Sequence, residues 1–83
     1  MVTGVIMVRK PVHEVRRGLI IARIWHKRTR SGIRHTVTVS RLFRIGDVWK
    51  ESSRFHRNDL PLVRLVLDEA HTWIYRQPQT HNS

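Results

Sequence analysis

From Arg34 to Arg44 the side chains alternate without interruption, His35, Val37, Val39, Arg41 and Phe43 against Arg34, Thr36, Thr38, Ser40 and Leu42. A period of two marks a half-buried strand, whose successive side chains point to opposite faces of a sheet. The chain must therefore find strand partners nearby. Gly18 to His26, Gly-Leu-Ile-Ile-Ala-Arg-Ile-Trp-His, is rich in β-branched and aromatic residues and predicts a strand ahead of it. Trp49 to Phe55 alternates again and predicts a strand after it. The polar stretch Lys27-Arg28-Thr29-Arg30-Ser31-Gly32 reads as a flexible loop, and Ile45-Gly46-Asp47 as a turn. Connections this short make neighbours antiparallel, so the expected core of the fold is a β-meander.

A helix follows. Asn58-Asp59-Leu60-Pro61 has the marks of a helix start, because an Asx side chain can cap free N–H groups and proline is tolerated in the first turn. From there to about Tyr75, Leu62, Val63, Val66, Leu67, Ala70, Trp73 and Ile74 fall on one broad side of a helical wheel, with Arg64, Asp68, His71 and Thr72 opposite. The fold class is α+β: an antiparallel meander of three to four strands and one C-terminal amphipathic helix packed on one sheet face. Residues 11–76 form this single domain. Residues 1–10 read as a leader, either disordered or an edge strand, and 77–83 as a disordered polar tail.

The facing of each strand follows from its turn. If Gly46 closes a three-residue loop Arg44-Ile45-Gly46, then Phe43 faces Asp47 and Arg41 faces Trp49. Val37, Val39, Phe43, Trp49 and Phe55 then share the face under the helix, with Glu51 near Arg41 as a charge pair. The open face receives Arg34, Thr36, Thr38, Ser40, Lys50, Ser52, Arg54 and His56. With Ile20, Ala22 and Ile24 turned to the helix, Leu19, Ile21, Arg23 and Trp25 join the open face.

Charge says what that face would meet. Sixteen Lys+Arg against six Asp+Glu give +10, and thirteen of the bases are arginine, which suits bidentate phosphate contacts and stacking. Residues 1–57 hold fourteen bases and three acids, whereas 58–83 hold two and three, so the cationic surface belongs to the sheet. Single-stranded nucleic-acid binders combine such a track with aromatic platforms. The candidate nucleic-acid-binding residues are Arg23, Trp25, Arg34, Lys50 and Arg54 on the open face, and Lys27, Arg28 and Arg30 at the hairpin tip. For Trp25, Leu19 and Ile21, packing in a core or a dimer interface is the competing expectation.

Other chemistry finds little footing. Without cysteine there are no disulfides or thiolate metal sites. The six histidines have no i, i+3 or i, i+4 pairing on the helix and join no carboxylate cluster, so no metal is expected. The four glycines are isolated and build no phosphate-cradling loop, and the serines lack a nucleophile context. We therefore expect no enzyme and no cofactor. The apolar start lacks the order of a signal peptide and no run is long enough to span a membrane, which predicts a cytoplasmic protein. A small core without disulfides favours a homodimer.

Gly18-Leu19-Ile20, Ile24-Trp25, Thr36-Val37-Thr38, Gly46-Asp47-Val48-Trp49-Lys50-Glu51-Ser52, Phe55, Asn58-Asp59-Leu60-Pro61 and Ala70-His71-Thr72-Trp73-Ile74-Tyr75 make the chain, over about residues 10–76, resemble a group of small bacterial proteins of planctomycete type. That resemblance implies the order of elements and no particular role. The meander followed by a helix is also similar in architecture to the single-stranded-DNA-binding domain of the positive-cofactor transcriptional coactivators. That likeness implies a dimer holding DNA on its sheets, and four strands before the helix, which would need Pro11 to Arg17 or the leader as one more. The expected function is single-stranded DNA binding with little sequence specificity, RNA being the other nucleic acid admitted. The alternative is a protein-interaction or homodimerisation module with a generically basic surface.

Overall fold

The computed structural model describes residues 10–78. Four antiparallel strands, β1 (His13–Arg17), β2 (Ile20–Thr29), β3 (Gly32–Ile45) and β4 (Val48–Ser52), lie side by side in chain order. A single turn of 3₁₀-helix (Arg57–Asp59) leads into the helix α1 (Leu60–Tyr75). The fold is thus the expected α+β meander with a C-terminal helix on one sheet face, and β1 supplies the fourth strand. The expected leader lies, apart from Lys10, outside the described residues, as do residues 79–83 of the tail.

All three hairpins close through two-residue loops, Gly18-Leu19, Arg30-Ser31 and Gly46-Asp47. Gly18 and Gly46 open their loops at φ 61° and 60°, the left-handed conformation that matches strand twist in such tight turns. The middle hairpin corrects the expectation of a flexible tip. Lys27 and Arg28 belong to β2, paired with Arg34 and Ile33, and only Arg30 remains in the turn. Polar side chains do not end a strand whose backbone is paired, and the Thr29 hydroxyl braces this end by donating to the Gly32 carbonyl at 2.8 Å.

The last hairpin corrects the register. Ile45 pairs with Val48, Phe43 with Lys50 and Arg41 with Ser52, so even positions of β4 share a face with odd positions of β3. A loop one residue shorter than expected reverses the facing of every β4 side chain. Trp49 and Glu51 leave the helix side for the open face, and Lys50 and Ser52 move the other way. Arg54 and His56 belong to neither face of the strand, because β4 ends at Ser52, whose Oγ accepts the Arg54 N–H at 3.0 Å and bends the chain away.

The core is Val15, Ile20, Ala22 and Ile24 from the sheet against Val66 and Ala70 from α1, ringed by half-buried Val37, Val39, Phe55, Leu62, Val63, Trp73 and Ile74. α1 lies mainly over β1 and β2, where Glu69 and Arg17 form an ion pair at 2.7 Å. Leu67, expected on the buried side, is 43% exposed. It sits about 100° round the helix from Val66, too far to reach a support this narrow. The helix also begins differently from the expected Asx cap. The Asp59 carboxylate accepts the His56 N–H at 2.7 Å and faces Arg41 Nε at 3.4 Å, leaving Pro61 to occupy the first turn. Arg41 is thereby held on the helix side, away from the Glu51 that the sequence pairs it with. Gln77, assigned to the tail, stays tied to the helix by donating its side-chain amide to the Trp73 carbonyl at 2.9 Å.

Candidate nucleic-acid interface

The face opposite α1 is built by strand parity. Glu14 and Arg16 come from β1; Ile21, Arg23, Trp25 and Lys27 from β2; Arg34, Thr36, Thr38, Ser40, Leu42 and Arg44 from β3; Trp49 and Glu51 from β4. Ile21 is 5% exposed yet lies outside the main core cluster, so the side chains of this face cover it.

At the centre is a clamp. The Arg23 guanidinium donates from both terminal nitrogens to Glu51 Oε1 and Oε2 at 2.7 Å each, and from Nε to Glu14 Oε2 at 3.2 Å. Glu51 is held below the ordinary carboxylate range, first by the hydrogen bonds from Arg23 and further by one from Ser40, against partial desolvation. Arg23 is shifted upward, first by its hydrogen bonds to Glu51. Of the candidate cations, Arg23 is therefore already engaged across three strands.

The clamp has a consequence in acid. A carboxylate whose folded pKa is depressed stabilises the protein above its unfolded value, and that stabilisation disappears as the pH falls through the folded one. Urea titrations should show wild type more stable than Glu51→Gln at neutral pH, with the gap closing below the ordinary glutamate range. The pair is half-exposed and screened by solvent, so the neutral gap should be on the order of 0.5–1 kcal/mol. A gap that persists unchanged in acid would show that the Glu51 charge contributes nothing.

Around the clamp the cations are less occupied. Lys27 and Arg34, opposite one another on adjacent strands, have no carboxylate partner among the described residues. Arg44 faces Trp49 across the β3–β4 ladder, its guanidinium carbon 5.8 Å from the ring centroid, with Nε donating to the Gly46 carbonyl at 2.8 Å. Trp49 is 54% exposed. Trp25 is half-buried and donates its indole N–H to Thr38 Oγ1 at 3.0 Å. The two tryptophans stand roughly 25–30 Å apart along the sheet, separated by a row of hydroxyls and Leu42.

Of the eight residues singled out from the sequence, Arg23, Trp25, Lys27 and Arg34 share the open face. Arg28 and Lys50 project from the other face, Arg30 sits in the turn, and Arg54 follows the end of β4. Sequence reasoning missed Arg44 and Trp49 as members of this face. The dipeptide Gly46-Asp47 between two apolar-aromatic runs was the signal that would have found them, because a two-residue loop puts Trp49 opposite Arg44.

No family model matches this chain, and no curated protein or solved structure matches it. On the helix side, His13 stacks on Trp73 with centroids 4.7 Å apart, and His35 meets the same ring edge-on at 6.2 Å. No group of three or more metal-ligating side chains converges among the described residues. None of the described helices is long and apolar enough to cross a membrane.

Proposed function

We propose that this protein binds single-stranded nucleic acid, DNA in the first place, on the open face of its sheet and with little sequence preference. The observation that carries the reading is the placing of Trp25 and Trp49 on the same face as Lys27, Arg34 and Arg44, while both glutamates of that face are spent on Arg23. These cations, which have no carboxylate partner among the described residues, would neutralise phosphates, and the indoles would stack on bases, a combination indifferent to sequence because every base has a π-face. Glu14 and Glu51 lower the charge of the face without cancelling it.

The test is fluorescence anisotropy of labelled single-stranded DNA, duplex DNA and RNA across a salt series, with wild type and the double variant Arg34→Ala/Arg44→Ala. We expect a preference for single strands, and a double variant that binds more weakly with a salt slope shallower by roughly one to two. Equal, weak binding of all three nucleic acids, untouched by the double variant, would reduce the charge to generic attraction and leave a protein partner as the better reading.

A further inference from the structure

β3 is longer than β4, its neighbour on the outer side. Its residues 32–41 pair with β2, but β4 covers only Arg41 to Ile45, and beyond Ser52 the chain turns away so that Phe55 can pack against the core. The Leu42 N–H donates to the Leu19 carbonyl on the β2 side, so even-numbered residues of β3 point their backbone groups toward β2. Odd-numbered ones point the other way. Ile33, His35 and Val37 therefore direct N–H and C=O groups to an edge on which the described residues provide no hydrogen-bond partner.

Proteins usually blunt such an edge with proline, lysine or a bulge. This one reads Ile33-Arg34-His35-Thr36-Val37-Thr38-Val39, β-branched at five of seven positions, without proline or lysine. We propose that a second copy of this chain fills the notch, its β3 running antiparallel to this β3 about a two-fold axis at His35. The two sheets then join as one of eight strands. A strand paired antiparallel with its own copy is self-complementary by symmetry. With the axis at His35, Ile33 lies opposite the partner's Val37 and Arg34 opposite the partner's Thr36. The guanidiniums are thus kept apart, and about six backbone hydrogen bonds form.

The length of the notch selects this occupant and this register. The turn Arg30-Ser31 of the second copy ends beside residues 39 and 40, just short of Arg41, which pairs with Ser52 at the end of β4. A longer strand would collide with β4. An axis perpendicular to the sheet leaves both open faces on one side, so the Arg34 side chains of the two copies border a single surface. The interface does not depend on the nucleic-acid reading, since it is made by backbone groups and can be measured in the absence of nucleic acid.

Sedimentation equilibrium at moderate salt tests it with wild type and Thr36→Arg, which sets two arginines directly opposite each other on either side of the axis and alters a position that is exposed in the monomer. Wild type should have twice the chain mass and Thr36→Arg the chain mass, with the same circular dichroism. A monomeric wild type, or a Thr36→Arg variant that remains dimeric, overturns the proposal. Should Thr36→Arg lose the sheet signal, the double variant Arg34→Cys/Thr36→Cys decides. In a chain with no other cysteine, these two positions face each other across the axis as a non-hydrogen-bonded pair, about 4.5 Å apart between Cα atoms, the closer of the two cross-strand spacings and within disulfide reach. Formation of the intermolecular disulfide on mild oxidation supports the interface, and its absence overturns it.

Discussion

Ile24→Ala should remove about 2–5 kcal/mol of stability, enough to leave a chain of this size largely unfolded near body temperature. Ile24 is completely buried, in a cluster with Ala22, Val15, Val66 and Ala70. Truncating it takes away three carbons and leaves a void that its neighbours cannot close. The strand backbone is fixed by ladders on both sides, and the helix is held at both ends, by Asp59 with Arg41 and by Trp73 on His13. The molecule has little reserve with which to absorb the loss. Its shortest dimension is 15 Å, one sheet and one helix thick, and among the described residues seven hydrophobic ones are buried. Urea denaturation followed by tryptophan fluorescence is the measurement. Ile24→Val should cost roughly 0.5–1.5 kcal/mol, and an alanine variant no less stable than the valine one would mean that this cluster is not where the stability resides.

Trp49→Ala should weaken single-stranded DNA binding by roughly 5- to 150-fold, the 1–3 kcal/mol attributed to one stacked base, while leaving the melting temperature almost unchanged. More than half of Trp49 is exposed, and it lies outside the main core, so folding depends little on it. Arg44 backs the ring with its cation and would add affinity to a base stacked on the other side. Trp25 is the informative comparison. It is half-buried and hydrogen-bonded to Thr38, so Trp25→Ala should lower stability as well as affinity. Anisotropy and thermal melts on both variants separate the two roles. Wild-type affinity in Trp49→Ala would remove stacking at this end of the face from consideration.

Trp49 also shows where reading from the sequence stops. Alternation in β3 identified its two faces correctly, because a long strand with a buried side leaves its period in the residues. The same logic failed one hairpin later, since the facing of β4 depends on the turn. Gly46 fits both a two-residue and a three-residue loop, and a single residue of difference exchanges Trp49 and Glu51 for Lys50 and Ser52. One residue in the turn thus decides two ion pairs: Glu51 meets Arg23, two strands away, rather than Arg41, and Arg41 meets Asp59. Lys27 and Arg28 misled for another reason. Polarity marks solvent exposure, and a hairpin extending past its covering helix is exposed and still fully paired. Leu67 was a matter of degree, since a wheel gives the direction of a side chain but not the width of the surface awaiting it.

The helix covers β1 and β2, and it follows all four strands in the chain. Ile20, Ala22 and Ile24 leave the ribosome well before Val66 and Ala70, the side chains that bury them. Hairpins of this kind can form within microseconds, far faster than translation proceeds, so strands that pair before α1 emerges would present one bare apolar face. A message truncated ahead of α1 would release that sheet uncovered, and such a fragment would be a substrate for chaperones or proteases rather than a shorter version of the protein.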